Sequence, residues 1–129
     1  MATNIVSPPP LSGAMRGLAV GRIMLGVAAL VVPRTMITAF GIRSTPELTY
    51  LTRIFGARGV ALGLGYLTAP ADERPRWQRI GLMVDLIDTA HGAAHVVRGD
   101  VPRTTALALA TLTGGYMTVG ATRLARDLR

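Results

Sequence analysis

The sequence predicts an all-α, four-transmembrane-helix bundle with N- and C-termini both cytoplasmic. Three observations carry that prediction. Half of the 129 residues are hydrophobic and only 16% are charged, with a mean hydropathy of +0.40. The apolar residues gather in four blocks, each of about 20 residues, the length at which a helix crosses a hydrocarbon core of roughly 30 Å. The 14 basic residues, all of them Arg, fall mostly between those blocks, as they do in membrane proteins.

The same composition excludes other classes. Disorder requires low hydrophobicity. An ordinary soluble domain carries about a quarter of its residues as charged groups. The absence of Cys removes a disulfide scaffold and a cysteine zinc site. A net charge of +7 and a pI near 11.5 invite a nucleic-acid reading. It fails because the arginines form no stripe interleaved with aromatics, which make up only 5% of the chain.

Taken in order, residues 1–12 contain Pro8, Pro9 and Pro10 and read as an extended or disordered arm. No positive charge precedes the first apolar block, so no cleaved signal peptide is expected. Residues 13–129 read as a single membrane domain. Its spans cover about 13–32, 50–69, 77–97 and 104–122. Pro33 stops the first and Pro70 the second; Arg98-Gly99-Asp100 follows the third. The fourth has no charge and reads as the cleanest. Thr45, Pro46 and Glu47 read as N-cap, N1 and first-turn acid. Asp72-Glu73-Arg74-Pro75 and Asp100-Val101-Pro102 open the third and fourth blocks in the same way. Residues 34–43 either lie along the interface or extend the first helix past a proline kink. An echo, L-G-x-x-x-L-x-x-P, joins Leu25–Pro33 to Leu62–Pro70.

Orientation follows from the arginines. One side carries Arg16, Arg74, Arg76, Arg79, Arg123, Arg126 and Arg129; the other carries Arg34, Arg43, Arg98 and Arg103. The richer side is cytoplasmic, and it holds both termini. A soluble helical bundle would need a polar face on every helix, and the fourth block offers only Thr and Gly.

Small residues recur at a spacing of four: Gly13, Gly17 and Gly21; Gly59 and Gly63; Ala106, Ala110 and Gly114. Such faces let helix backbones approach. Homodimerisation and packing among the chain's own helices both use them, and a four-span chain must pack itself first.

The chemistry-bearing residues are Arg22, Arg53, Arg58, Asp85, Asp88, His91 and His95, all inside or near apolar blocks. An ionised group at mid-bilayer costs on the order of 3 kcal/mol, so it needs a partner or a path to water. Asp85, Asp88, His91 and His95 fall, with Gly81 and Gly92, within about 120° of helical arc. Three readings compete. In the first, the two Asp neutralise two of the three Arg, and the cluster is an ion-pair scaffold. In the second, the surplus positive charge receives a small apolar or acidic ligand or a lipid headgroup. In the third, Asp88, His91 and His95 bind a metal or relay protons, although a nearby Arg repels a cation and the Glu of H-E-x-x-H is missing. The adopted expectation is no metal and no cofactor. No phosphate loop and no Ser nucleophile motif is present.

Arg53-x-x-Gly56-x-Arg58-Gly59, then Leu62-Gly63 and Pro70, followed by Asp-x-x-Asp on the third helix, resembles a widespread group of small bacterial four-helix membrane proteins of unknown function, loosely DoxX-like. The resemblance spans roughly residues 14–125. It implies four spans and a cluster of Arg53, Arg58, Asp85 and Asp88, and brings no activity with it. His91 and His95 are not part of the pattern. The expected location is the bacterial inner (cell) membrane, as a multi-pass protein. The expected function is a non-enzymatic accessory or interaction subunit that binds a lipid or other apolar ligand near the Arg-Asp-His cluster. Its expected partners are membrane lipid and a homo-oligomer or larger membrane complex, with no nucleic acid. The alternative is a small membrane enzyme using Asp85, Asp88 and His91, with His95 as a further proton acceptor, on a hydrophobic substrate. A transporter fits less well, because four short spans leave little room for alternating access.

Overall fold

A computed structural model of the chain describes residues 12–129. The expected N-terminal arm lies outside them except for Ser12, which opens the first helix. Among the described residues there are five helices and no strand: α1 (Ser12–Val31), α2 (Pro33–Ala39), α3 (Pro46–Thr68), α4 (Arg74–Arg98) and α5 (Arg103–Asp127). The chain is all-α.

The additional element is α2. Pro33 does not kink α1; it ends it and starts a new helix at N1, where its missing N–H costs nothing. Gly41, at φ 75°, turns the chain toward α3. At α3 the capping reading is realised: Thr45 Oγ1 accepts from the Leu48 N–H at 3.1 Å, ahead of Pro46 and Glu47. The other two openings differ from expectation. The residue before α4 is Glu73, in αR conformation and without a side-chain cap bond, because the turn over 70–73 already supplies i→i+3 and i→i+4 partners from Pro70 O. Asp100 does not cap α5 but is drawn back to His95 of α4, beside Gly99 at φ 66°.

Two helices are long and apolar enough to cross a membrane, Gly13–Val31 and Arg74–Arg98. The fourth block, expected to be the cleanest, is not one of them. Its freedom from charge is offset by repeated Thr and Gly, which lower the mean hydropathy of α5. In α3, Arg53, Arg58 and several Gly have the same effect.

Packing is dense within two antiparallel pairs, α1 with α3 and α4 with α5, and sparse between them. Glycine makes the first pair close. A Cβ on Gly63 would sit 2.5 Å from Ala19 O, and one on Gly56 would sit 2.6 Å from Gly26 O. The two glycines of the sequence echo, Gly26 and Gly63, therefore both line one interface. In the second pair, Gly92 faces Ala110, Gly120 faces Leu82, and the Thr89 hydroxyl donates to Thr113 Oγ1 at 3.1 Å. Gly13 and Gly17 face open space instead. The small residues of the first block are thus used only in part: α1 packs through Ala19, Gly26 and Ala29 rather than Gly13 and Gly17.

This asymmetry is testable. Gly63→Leu should destabilise the purified protein by about 1–3 kcal/mol or more, the range for overpacking, read as a fall in melting temperature in detergent. Gly17→Leu should leave that temperature unchanged. An equal loss from both would mean that the Gly17 face is occupied by another chain.

Candidate functional site: a paired Arg–Asp cluster

The sparse contact between the helix pairs is bridged by charge. Arg22 of α1 forms an ion pair with Asp85 of α4. Both are buried, at 9% and 2% exposure. No Cα of α1 lies within 8 Å of a Cα of α4, so the long guanidinium arm spans a gap that backbones do not. Gly81, one turn before Asp85, lies beside it: a Cβ there would stand 3.4 Å from Arg22 Nη2, an ordinary van der Waals contact. The Tyr116 ring of α5 lies 4.8 Å from the Arg22 guanidinium carbon and supplies a cation–π contact. Arg22 thus joins α1 to both helices of the other pair.

The second ion pair sits one turn further along α4. Arg58 Nη2 of α3 donates to Asp88 Oδ2 at 2.8 Å. It is more open, with Arg58 and Asp88 side chains 44% and 26% exposed. The Arg58 guanidinium carbon lies 5.5 Å from the Phe55 ring centroid. Both pairs border a cavity of about 30 Å³, with Thr113 and Tyr116 also at its wall. That is room for about one water molecule.

Two arginines therefore meet two aspartates, and the third falls elsewhere. Arg53 is exposed, with no partner among the described residues. Helical geometry explains this: five residues separate Arg53 from Arg58, a rotation of about 140° net, so the two cannot share a face. The expected surplus positive charge inside the cluster is consequently absent.

The histidines also leave the cluster. His91 Nδ1 donates to Ile87 O of its own helix at 2.9 Å. His95 Nδ1 donates to Asp100 Oδ1 at 2.7 Å, with Arg98 Nε 3.8 Å from Asp100 Oδ2. Neither imidazole hydrogen-bonds Asp85 or Asp88. Among the described residues no group of three His, Asp or Glu side chains is placed to hold a metal ion. Tyr116 is the residue that the sequence reading missed. Its signal was the one aromatic in a charge-free block, since a Tyr inside a helix assembly seeks a polar or cationic partner.

Asp100 stands outside the helices. The hydrogen bond from His95 holds its carboxyl below the ordinary carboxylate range, and the charges of His95 and Arg98 add to that. No family model, curated protein or solved structure matches this chain.

Two predictions follow from the geometry. Asp85→Asn strands a buried guanidinium, a change that costs about 3–5 kcal/mol, whereas Asp88→Asn should cost much less because Arg58 reaches solvent. Thermal unfolding in detergent reads the difference. The double change Arg22→Met with Asp85→Leu should recover most of the loss. At Asp100 the lowered pKa means the carboxylate stabilises the turn above the ordinary carboxylate range, and the contribution is lost as pH falls through the lowered value. His95→Ala should therefore move the Asp100 titration upward, as followed by carboxyl NMR.

Proposed function

We propose that this chain is a small integral membrane protein with four spans and both termini cytoplasmic, a non-enzymatic accessory or interaction subunit of the bacterial inner membrane. It binds a lipid or other apolar ligand beside its Arg–Asp cluster. The likeness to small DoxX-like membrane proteins belongs to the same proposal.

One observation carries it: the two helices with a stretch long and apolar enough to cross a membrane are largely unburied. Only 22% of the apolar window in Gly13–Val31 and 17% of that in Arg74–Arg98 are buried. A core helix of a water-soluble protein would be mostly buried. On α1, Val20, Met24, Val27 and Val31 are all exposed, at spacings that draw one continuous apolar stripe along a helix. Met83, Leu86 and Ile87 are exposed on α4. Water would tolerate such surfaces poorly; hydrocarbon suits them. The α3 and α5 helices, of 23 and 25 residues, have the length for a roughly 30 Å core.

The non-enzymatic reading rests on pairing: each aspartate of the cluster is engaged by an arginine, and neither imidazole hydrogen-bonds either aspartate. Paired charges of this kind hold helices together where unpaired ones would be costly.

The chain has no native Cys, so single-cysteine variants report topology directly. Ala71→Cys should be labelled by an impermeant thiol reagent only from the cytoplasmic side. Ser44→Cys and Val101→Cys should be labelled only from the opposite side. Alkaline carbonate should leave the protein in the membrane pellet. Release into the supernatant would overturn the integral-membrane reading.

A further inference from the structure

A second cavity, of about 240 Å³, lies beneath α2. Its wall includes Leu25, Ile37, Phe40, Leu51, Phe55 and Leu109, contributed by α1, α2, α3 and α5. The Thr52 hydroxyl at its edge already donates to Leu48 O at 2.7 Å. An apolar cavity of about 150 Å³ accepts a benzene ring, so this one accepts an aliphatic stretch of about ten carbons. It opens sideways: Leu51 and Leu109 on its rim are exposed, and α3 and α5 do not approach each other within 8 Å at any Cα pair.

Charge stands at the same end of the molecule. The Thr105 hydroxyl donates to Phe40 O, which ties the start of α5 to the end of α2. Arg43 follows Phe40 by three residues, and Arg103 precedes Thr105 by two. Both arginines are exposed, and neither has an ion-pair partner among the described residues. The nearby acids do not neutralise them. Asp100 is engaged by His95 and Arg98, and Glu47, in the first turn of α3, pairs with neither.

We propose that the cavity under α2 holds one acyl chain of an anionic phospholipid, with the phosphate against Arg43 and Arg103. The proposal rests on the membrane reading above. An apolar slot open to the side takes a chain from the hydrocarbon phase. Two unpaired arginines near the Phe40 end of it, on the segments joined by the Thr105–Phe40 bond, select a negative headgroup over a zwitterionic one. The slot admits one chain, and the lateral opening lets the lipid's second chain remain in the bilayer. The charge cluster deeper in the molecule is already balanced, so the headgroup belongs at the Arg43 and Arg103 end.

Native mass spectrometry of the full chain in detergent, mixed with equimolar phosphatidylglycerol and phosphatidylcholine, tests this. One phosphatidylglycerol should be retained in preference, by about five-fold for each engaged arginine. Arg43→Gln and Arg103→Gln should each lower that preference about five-fold while leaving phosphatidylcholine unchanged. Leu48→Trp or Leu109→Trp, filling the cavity, should release both lipids, whereas Leu109→Met should retain them. Wild-type helicity by circular dichroism qualifies each variant, and the two Trp variants stand in for one another. Equal retention of both lipids, indifference to cavity filling, or displacement by free oleate as readily as by phosphatidylglycerol would each overturn the proposal. Those outcomes leave the carbonate result untouched, so a failed lipid site and a failed membrane reading remain distinguishable.

Discussion

The Arg22–Asp85 ion pair is the constraint on which the rest of the arrangement depends. It is a buried link between two helix pairs, joining α1 to α4, whose backbones do not approach each other. Removing two charges from water is costly, and only good geometry with further partners offsets it. The surroundings supply one such partner, the Tyr116 ring against the guanidinium. The relative placement of the two pairs must satisfy Arg22 together with the Trp77 ring of α4, which packs against Gly65 of α3.

Inside each pair the physics is different. Backbone approaches at Gly26, Gly56 and Gly63 bring α1 and α3 together, and Gly92 and Gly120 do so for α4 and α5. Dispersion and close packing act there. The molecule thus combines two tightly packed hairpins with a polar seam. Along that seam the packing leaves space: the small cavity bordered by the two ion pairs, and the larger apolar one under α2. They share Leu25, Phe55 and Leu112 as a common wall. Phe55 presents its ring to Arg58 as well as to the apolar space. Phe55, with Leu25 and Leu112, therefore separates the charged interior from the slot proposed for an acyl chain.

Much of this was legible in the residues. Hydropathy and proline placement located the four long helices to within a few residues, since both act locally. The capping of α3 by Thr45 was equally local and is seen in the structure. The candidates Arg22, Arg58, Asp85 and Asp88 came from one rule, that charge inside an apolar run needs a partner. The rule does not choose the partner, so Arg53 was counted with them. A closer reading of helical phase separates Arg53 from Arg58 by about 140° and would have removed it. The placements of His91 and His95 were harder. Their shared face with Asp88 was correct as geometry, yet His91 satisfies itself on the Ile87 carbonyl and His95 on Asp100. A residue in the following turn competes with the helix face for the same imidazole, and no periodicity reports that.

The sequence by itself determined the helical class, the approximate positions of the four long helices, the concentration of arginine between the apolar blocks and the pool of charges available for pairing. These follow from composition and from interactions within a few residues. Only the tertiary structure decided which arginine meets which aspartate, that Tyr116 completes the Arg22 site, and that a cavity opens beneath α2. Each of those depends on the relative rotation and separation of helices distant in the chain. That rotation is set by where glycine permits contact and where a long guanidinium must reach across, and neither is encoded in any one segment.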